Sequence, residues 1–165
     1  MAPRRRPAAR IRALFLDVDG VLTDGRIYLD GRGRELKVFD TKDGHGMRKA
    51  AAAGITLVWI SGRRSPATAS RARELGVVRC FQGVRDKRAR FEAVRRKLKL
   101  RPEETATIGD DEPDIPMFEV AGLSACPADA TPAAKKAADM VLRRPGGHGA
   151  VRELIERILE RNRNR

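Results

Sequence analysis

The chain has 165 residues, of which 41% are hydrophobic and 4% aromatic, and it carries a formal net charge of +13. This composition favours one globular domain over 1–165, and the apolar runs are too short for a membrane span or a secretory leader, so we expect a cytoplasmic protein with no membrane partner. The positive charge suits small anions such as sugar phosphates, whereas the scarcity of aromatic side chains argues against specific nucleic-acid binding.

Strand-like apolar runs alternate with helix-like segments from Ile11 to the C-terminus. Gly54 and Gly76 stand where helix C-caps are expected, each just before a strand. The alternation predicts an α/β fold with a Rossmann-like, three-layer, doubly wound parallel sheet. The predicted strands are Ile11–Asp17, Ile55–Ser61, Val78–Phe81, Thr105–Gly109, Gly122–Ala125 and Met140–Leu142; the predicted helices are Gly44–Ala53, Pro66–Leu75, Lys87–Leu98, Ile115–Val120, Pro132–Ala137 and Ala150–Arg161.

An insertion separates the first strand from the first helix. Residues 26–39 hold two short alternating runs around a glycine-containing turn, which predicts a β-hairpin. We expect this hairpin to be a flap beside the end of the first strand, with no separate cap domain. The basic tails, about 1–10 and 162–165, are expected to fray, and Cys80 and Cys126 are expected to be free and buried.

Two carboxylates follow the first predicted strand. Asp17 and Asp19 are two residues apart, so their side chains leave the strand end on the same side and repel each other. A divalent cation would favour the ionised form of both. The alternative is a solvated turn, because Asp-Gly pairs are common in turns.

Other polar residues follow the later strands. Ser61-Gly62-Arg63 follows the second strand, Lys87 opens a helix, and Asp110-Asp111, with Asp114 one turn later, follows the Thr105–Gly109 strand. Ligands bind beyond the carboxyl ends of strands in doubly wound sheets, so we expect these groups to meet at one edge. Individually, Ser61 could be a turn residue and Lys87 a solvated surface lysine.

In chain order, these segments resemble the four motifs of the haloacid dehalogenase superfamily, and the missing cap indicates its capless branch. Within that branch, Asp19-Gly20-Val21-Leu22-Thr23-Asp24-Gly25 and Gly149-Ala150-Val151-Arg152-Glu153 are similar to the family of 3-deoxy-D-manno-octulosonate 8-phosphate phosphatases. The resemblance implies a Mg²⁺-dependent phosphatase of lipopolysaccharide core biosynthesis that works through an aspartyl-phosphate.

The resemblance also implies a role for each site residue. Asp17 would be the nucleophile, and Asp19 the general acid and base that also offers its backbone carbonyl to the metal. Asp17 and Asp110 would hold Mg²⁺ through their carboxylates. Ser61 and Lys87 would hold phosphoryl oxygens. Asp111 is expected to cap a helix as well as face the metal, and Asp114 to brace Lys87 or the metal's waters.

The implied substrate is an acidic octulosonate that carries a carboxylate and a phosphate. His148 stands where the family usually has Arg, so a nine-carbon sugar-acid phosphatase or a broad phosphatase stays open. A non-catalytic oligomerisation module is the less favoured alternative, because the residues that such a module could lose are all present: Asp17, Asp19, Lys87 and Asp110. We interpret His148 itself as a loop residue. The resemblance implies a homotetramer in which one hairpin covers the neighbouring site, with Tyr28, Leu36, Val38 and Phe39 at the interface. The implied substrate contacts are Asp19, Asp40, Thr41, Lys42, Asp43, Gly44, Arg48, Arg63, Arg71 and Lys87.

Overall fold

The computed structural model describes residues 9–164, which form eight strands and six α-helices. The strands are β1 (Ala13–Leu16), β2 (Tyr28–Leu29), β3 (Glu35–Leu36), β4 (Thr56–Ile60), β5 (Arg79–Phe81), β6 (Thr105–Ile108), β7 (Leu123–Cys126) and β8 (Met140–Val141). The helices are α1 (Thr41–Ala52), α2 (Pro66–Glu74), α3 (Lys87–Lys97), α4 (Ile115–Phe118), α5 (Pro132–Ala137) and α6 (Ala150–Arg163).

Six parallel strands form the central sheet, in the order β5-β4-β1-β6-β7-β8. The first strand lies in the middle, with Ala13 opposite Thr56 of β4 on one side and Thr105 of β6 on the other. The strands β2 and β3 pair antiparallel outside this sheet and form the predicted hairpin. The parallel α/β fold with a hairpin insertion is therefore confirmed.

Helices cover both faces of the sheet, and the side chains of β1 alternate between them. Leu14 and Leu16 face α1 and α6 in the larger core, whereas Phe15 faces α3 in a second core. The ring of Phe15 lies 4.2 Å from that of Phe91, measured between centroids. Because β1 is apolar on both faces, it must lie inside the sheet, and this fixes the central position of the residues that follow it.

The helix and strand boundaries differ from the predicted ones by a few residues. The helix α1 begins at Thr41, three positions before the prediction, because the Asp40 carboxylate accepts the N–H of Lys42 and caps the helix there. Gly54 and Gly76 have positive φ angles of 79° and 70°, as expected for helix C-terminal turns.

The C-terminal helix is anchored to the start of the first strand. The Asn162 side chain accepts the N–H of Ile11 and donates to the Ile11 carbonyl, each at 2.9 Å. Residues 162 and 163 are therefore the helical end of α6, whereas fraying of the tails stays a prediction, whose parts at 1–8 and 165 lie outside the described residues. Both cysteines are free; Cys126 is buried as expected, but Cys80 is only half-buried.

Within residues 9–164, every helix lacks the length and apolarity to cross a bilayer.

Candidate active site

A cavity of about 320 Å³ lies at the carboxyl edge of the sheet. Parallel strands bring their carboxyl ends together there, so side chains distant in sequence become neighbours. Each predicted catalytic residue lines this cavity, together with both residues of the Asp110-Asp111 pair. The lining residues are Asp17, Asp19, Gly25, Ser61, Gly62, Arg63, Lys87, Asp110, Asp111, Pro113 and Asp114.

The loop after β1 is shaped by glycines. Gly20 has a φ of +84°, and a Cβ at this position would collide with the carboxylate of Asp110. The Thr23 hydroxyl closes the loop by accepting the N–H of Gly20 at 3.3 Å and that of Gly25 at 3.2 Å. This backbone arrangement lets the Asp110 carboxylate approach the loop that carries Asp17 and Asp19.

Three carboxylates cluster in this cavity, and two of them contact one buried ammonium group. Oxygen atoms of Asp17, Asp110 and Asp114 lie within 4.8 Å of one another. The Lys87 Nζ lies 2.8 Å from Asp17 Oδ1 and 2.6 Å from Asp114 Oδ1, and its side chain is 7% exposed. Lys87 is therefore not the solvated surface lysine that its sequence position alone would allow.

The charges of this cluster do not balance. Burial, together with the negative charge of Asp114, raises the pKa of Asp17 well above its usual range. Burial and the same neighbour raise the pKa of Asp110 to about 7. Burial alone would lower the pKa of Lys87, but its ion pairs with Asp17 and Asp114 outweigh that effect and raise it.

When all three carboxylates are ionised, the single ammonium of Lys87 compensates one of their charges and leaves two. A divalent cation bound by hard oxygen ligands matches both this charge and this donor set, as Mg²⁺ requires. The residues present therefore fit the magnesium ion that the sequence motifs imply.

Asp114 uses both of its carboxylate oxygens within the site. Oδ1 pairs with Lys87, and Oδ2 accepts the N–H groups of Asp110 and Asp111 at 2.9 and 3.3 Å. Gly109 makes this possible, since a Cβ there would collide with Asp114. Asp114 thus contacts the Lys87 ammonium, as the bracing role expected for it requires, and that role stays a prediction. Asp111 caps the 3₁₀ turn Glu112–Asp114 by accepting the Glu112 N–H at 2.8 Å, and its expected part in the site stays a prediction.

Ser61 and Arg63 form the wall of the cavity beyond β4. Ser61 is buried, and its Oγ accepts the N–H of Arg63 at 3.2 Å, so it shapes the turn while it also lines the cavity. Arg63 is half-exposed at the cavity mouth, and its guanidinium lies 3.0 Å from the carboxylate of Glu35 on the hairpin.

Two hairpin residues that the sequence reasoning did not single out contact side chains of the cavity lining. The Lys37 ammonium contacts the Asp19 carboxylate and lies 3.2 Å from Glu35 Oε1. The alternating sequence run 35–38 provides a signal for both residues, because in extended chain positions 35 and 37 share one side and 36 and 38 the other. The two charged side chains turn inward, whereas Leu36 and Val38 are 60% and 64% exposed.

The remaining predicted substrate contacts lie on or next to α1 and α2, outside the cavity lining. Asp43 is buried and accepts the N–H groups of Arg152 at 2.8 Å and Gly149 at 3.3 Å, so it caps α6. The Arg71 guanidinium pairs with Glu74 at 2.8 Å and occupies space left by Gly44. Contacts from Asp40, Thr41, Lys42, Asp43, Gly44, Arg48 and Arg71 to substrate stay predictions.

Two further expectations concern aromatic and loop residues. Of the four predicted interface residues, Tyr28, Leu36 and Val38 are exposed, but Phe39 packs against Trp59 with ring centroids 6.5 Å apart. Phe39 is thus half-buried at the margin of the core, and the interface role of all four residues stays a prediction. His148 is exposed in a turn where its N–H donates to the Pro145 carbonyl, in keeping with a loop histidine.

Comparison with known proteins identifies relatives along most of the chain. Residues 81–154 match the family model of haloacid dehalogenase-like hydrolases. The 3-deoxy-D-manno-octulosonate 8-phosphate phosphatase KdsC of Escherichia coli K12 is 43% identical over 152 residues, which cover 92% of this chain and 81% of the relative.

Solved structures agree with the sequence comparison. The phosphatase of the same name from Yersinia pestis has a TM-score of 0.91 at 41% identity, covering 94% of this chain and 84% of the other. The one from Moraxella catarrhalis, solved with a magnesium ion, a phosphate ion and KDO, also has a TM-score of 0.91, at 35% identity; the match covers 94% of this chain and 89% of that one.

Proposed function

Because the chain belongs to the 3-deoxy-D-manno-octulosonate 8-phosphate phosphatases within the haloacid dehalogenase-like hydrolases, we propose that it hydrolyses this sugar phosphate to the free sugar acid and phosphate. The observation that carries the proposal is the meeting of Asp17, Asp110 and Lys87 at one edge of the sheet. The enzyme is a Mg²⁺-dependent phosphoric monoester hydrolase of lipopolysaccharide core biosynthesis.

Asp17 is the proposed nucleophile. Its carboxylate attacks phosphorus, and the bond between phosphorus and the sugar oxygen breaks as the aspartyl-phosphate forms. The ammonium of Lys87, 2.8 Å from Asp17 Oδ1, lies where it can offset negative charge on the phosphoryl oxygens. Ser61, which also lines the cavity, would offer a hydroxyl to the same group.

Asp19 is the proposed general acid and base. It protonates the sugar oxygen as the phosphorus bond breaks, and it then removes a proton from the water that hydrolyses the aspartyl-phosphate. Phosphate leaves, and both carboxylates return to their starting state. The Asp19 side chain is 23% exposed at the mouth of the cavity, where a leaving sugar and an incoming water can both reach it.

Magnesium is the proposed cofactor at the carboxylate cluster. Asp17 and Asp110 would hold it through their carboxylates and Asp19 through its backbone carbonyl, with Asp111 and Asp114 positioned behind them. When bound, the ion supplies Lewis-acid stabilisation of a phosphoryl oxygen. Arg63 and, from α1 and α2, Arg48 and Arg71 would provide charge for the substrate carboxylate.

A homotetramer is the proposed assembly. The outer face of the hairpin exposes Leu29, Leu36 and Val38, which is an unusual amount of apolar surface for a short insertion. Burial of this face against a neighbouring subunit would cover the apolar residues and exclude water from the neighbouring site, which strengthens electrostatic catalysis.

The test measures phosphate release with Mg²⁺ from 3-deoxy-D-manno-octulosonate 8-phosphate, a nine-carbon sugar-acid 9-phosphate and 4-nitrophenyl phosphate. We expect the eight-carbon substrate to have a kcat/KM at least about tenfold above the others, and Asp17→Asn to lower kcat by more than about 10⁴-fold. A faster nine-carbon substrate would replace the substrate assignment, and equal rates would indicate a broad phosphatase. Equal inactivity of the unmodified protein and Asp17→Asn would indicate a non-catalytic oligomerisation module.

A further inference from the structure

A continuous row of charged side chains joins the hairpin to both walls of the cavity. The Lys37 ammonium contacts Asp19 and lies 3.2 Å from Glu35 Oε1, and the same Glu35 oxygen lies 3.0 Å from Arg63 Nη2. Asp19 and Arg63 line the cavity, whereas Glu35 and Lys37 belong to the hairpin. The hairpin is therefore connected to the catalytic machinery of its own subunit.

Lys37 is buried, so its ammonium group must be paired with other protein groups. Its side chain is 2% exposed, although Lys37 belongs to a short hairpin and its sequence neighbours, Leu36 and Val38, are exposed to solvent. A lysine is almost never buried to this degree unless it is paired, because desolvation of the ammonium is costly. Burial would also raise the pKa of Glu35, but hydrogen bonds from Lys37 and Arg63 outweigh it and lower that pKa.

We propose that Lys37 is a positioning residue that holds the Asp19 carboxylate in the orientation needed for proton transfer, and that Glu35 fixes Lys37 and Arg63 relative to each other. The inference rests on the proposed function and adds hairpin residues to it. Lys37 engages Oδ1 of Asp19, which assigns proton transfer to Oδ2. A carboxylate at the cavity mouth that lacked this contact would rotate among orientations, most of them away from the leaving oxygen.

Leaving-group dependence separates this role from a general loss of structure. The sugar alkoxide needs a proton as it leaves, whereas 4-nitrophenolate leaves without one. In single-turnover experiments with Mg²⁺, we expect Lys37→Met to slow cleavage of the sugar phosphate by about 10²-fold and the release of 4-nitrophenolate by less than about 3-fold. Lys37→Arg, which keeps the charge, should recover most of the loss. In steady-state assays of Lys37→Met on the sugar phosphate, KM should change much less than kcat.

Two further variants serve as a control and as a second test of the same row of charges. Lys97→Met removes an exposed lysine from the last turn of α3, and its rates should equal those of the unmodified protein. Glu35→Gln leaves Lys37 in place but weakens its support, so it should show the same leaving-group pattern with a smaller loss. Thermal unfolding midpoints would identify any variant that fails to fold.

Equal losses on both substrates, or no loss at all with Lys37→Met, would overturn the inference. A failure of the proposed substrate is distinguishable, because the unmodified protein would then also ignore the sugar phosphate. The leaving-group comparison would in that case be made on whichever alkyl phosphate the protein accepts, where a selective loss would still support the role of Lys37.

Discussion

Asp43 shows how a single buried carboxylate joins two distant helices. It lies in the first turn of α1, yet it accepts two backbone N–H groups at the start of α6. A helix N-terminus has unpaired N–H groups and a partial positive charge, so a carboxylate satisfies both needs. Burial nevertheless dominates and raises the pKa of Asp43 from 3.8 to about 6.

This pKa predicts a specific pH dependence of stability. A carboxyl whose pKa is higher in the folded than in the unfolded state favours folding most when it is protonated, below pH 3.8. The contribution is lost as the pH rises through about 6. By linkage the difference amounts to about 3 kcal/mol.

The measurement compares the free energy of unfolding by urea for Asp43→Asn and the unmodified protein from pH 4 to pH 7. Because Asn does not titrate, the stability of the unmodified protein relative to the variant should fall across this range. A difference that is constant with pH, or that grows, would contradict the assignment of the shift to Asp43.

The residues in and around the cavity were not equally predictable from the sequence. Asp17, Asp19 and Asp110 follow apolar strands directly, so the edge at which they meet follows from the parallel sheet alone. Glu35 and Lys37 gave a weaker signal, since an alternating charged pair on a hairpin is normally solvated. Their inward direction depends on how the hairpin folds back onto the loop after β1, which local spacing does not encode.

The contact between α1 and α6 depends on a position with no side chain. A Cβ at Gly46 would lie 3.2 Å from Arg152 Cα and 2.8 Å from its Cδ. In an exposed helix, Gly→Ala is stabilising by about 0.5–1 kcal/mol. Here we expect Gly46→Ala to destabilise by about 1–3 kcal/mol, because α6 must shift. Chemical denaturation would check the sign, and a stabilised variant would show that the helices tolerate the methyl group.

The hairpin carries a prediction about assembly. Leu36→Asp places a charge on its exposed apolar face, so we expect the protein to dissociate toward smaller oligomers and kcat to fall. Light scattering coupled to size exclusion gives the mass, and Val78→Asp, at another exposed apolar position, serves as the matched control. A monomer with full activity in the unmodified protein would remove the proposed tetramer from the mechanism.

At the level of elements, the order of strands and helices could be predicted because hydrophobic period and glycine positions mark them. The first and last residues of the helices were harder to predict from the sequence. The start of α1 depends on the capping bond of Asp40, and the persistence of α6 through Arg163 depends on the distant contact of Asn162 with Ile11. Both are specific hydrogen bonds, and such bonds leave no periodic trace in the sequence.

For the molecule as a whole, the uncompensated charge of the carboxylate cluster predicts stabilisation by magnesium. At a concentration of 100 times its Kd, the ion should raise the free energy of unfolding by about 2.7 kcal/mol, since it binds only the folded state. Asp110→Asn should abolish most of this gain and leave the metal-free protein at least as stable, because it removes one of three crowded charges. Thermal unfolding with Mg²⁺, or with NaCl at equal ionic strength, distinguishes specific binding from screening.

The central place of β1 in the sheet has a consequence for synthesis on the ribosome. Its two neighbours are β4 and β6, so the Ala13–Leu16 segment has both partners only after residue 108 has emerged. Until then the nascent chain exposes an apolar segment that is prone to aggregation. The pairing of β1 with strands distant in sequence is also slow to form. The strand β1 therefore stays unpaired along one edge until β6 has emerged, and the stage before that is when chaperones have most to protect.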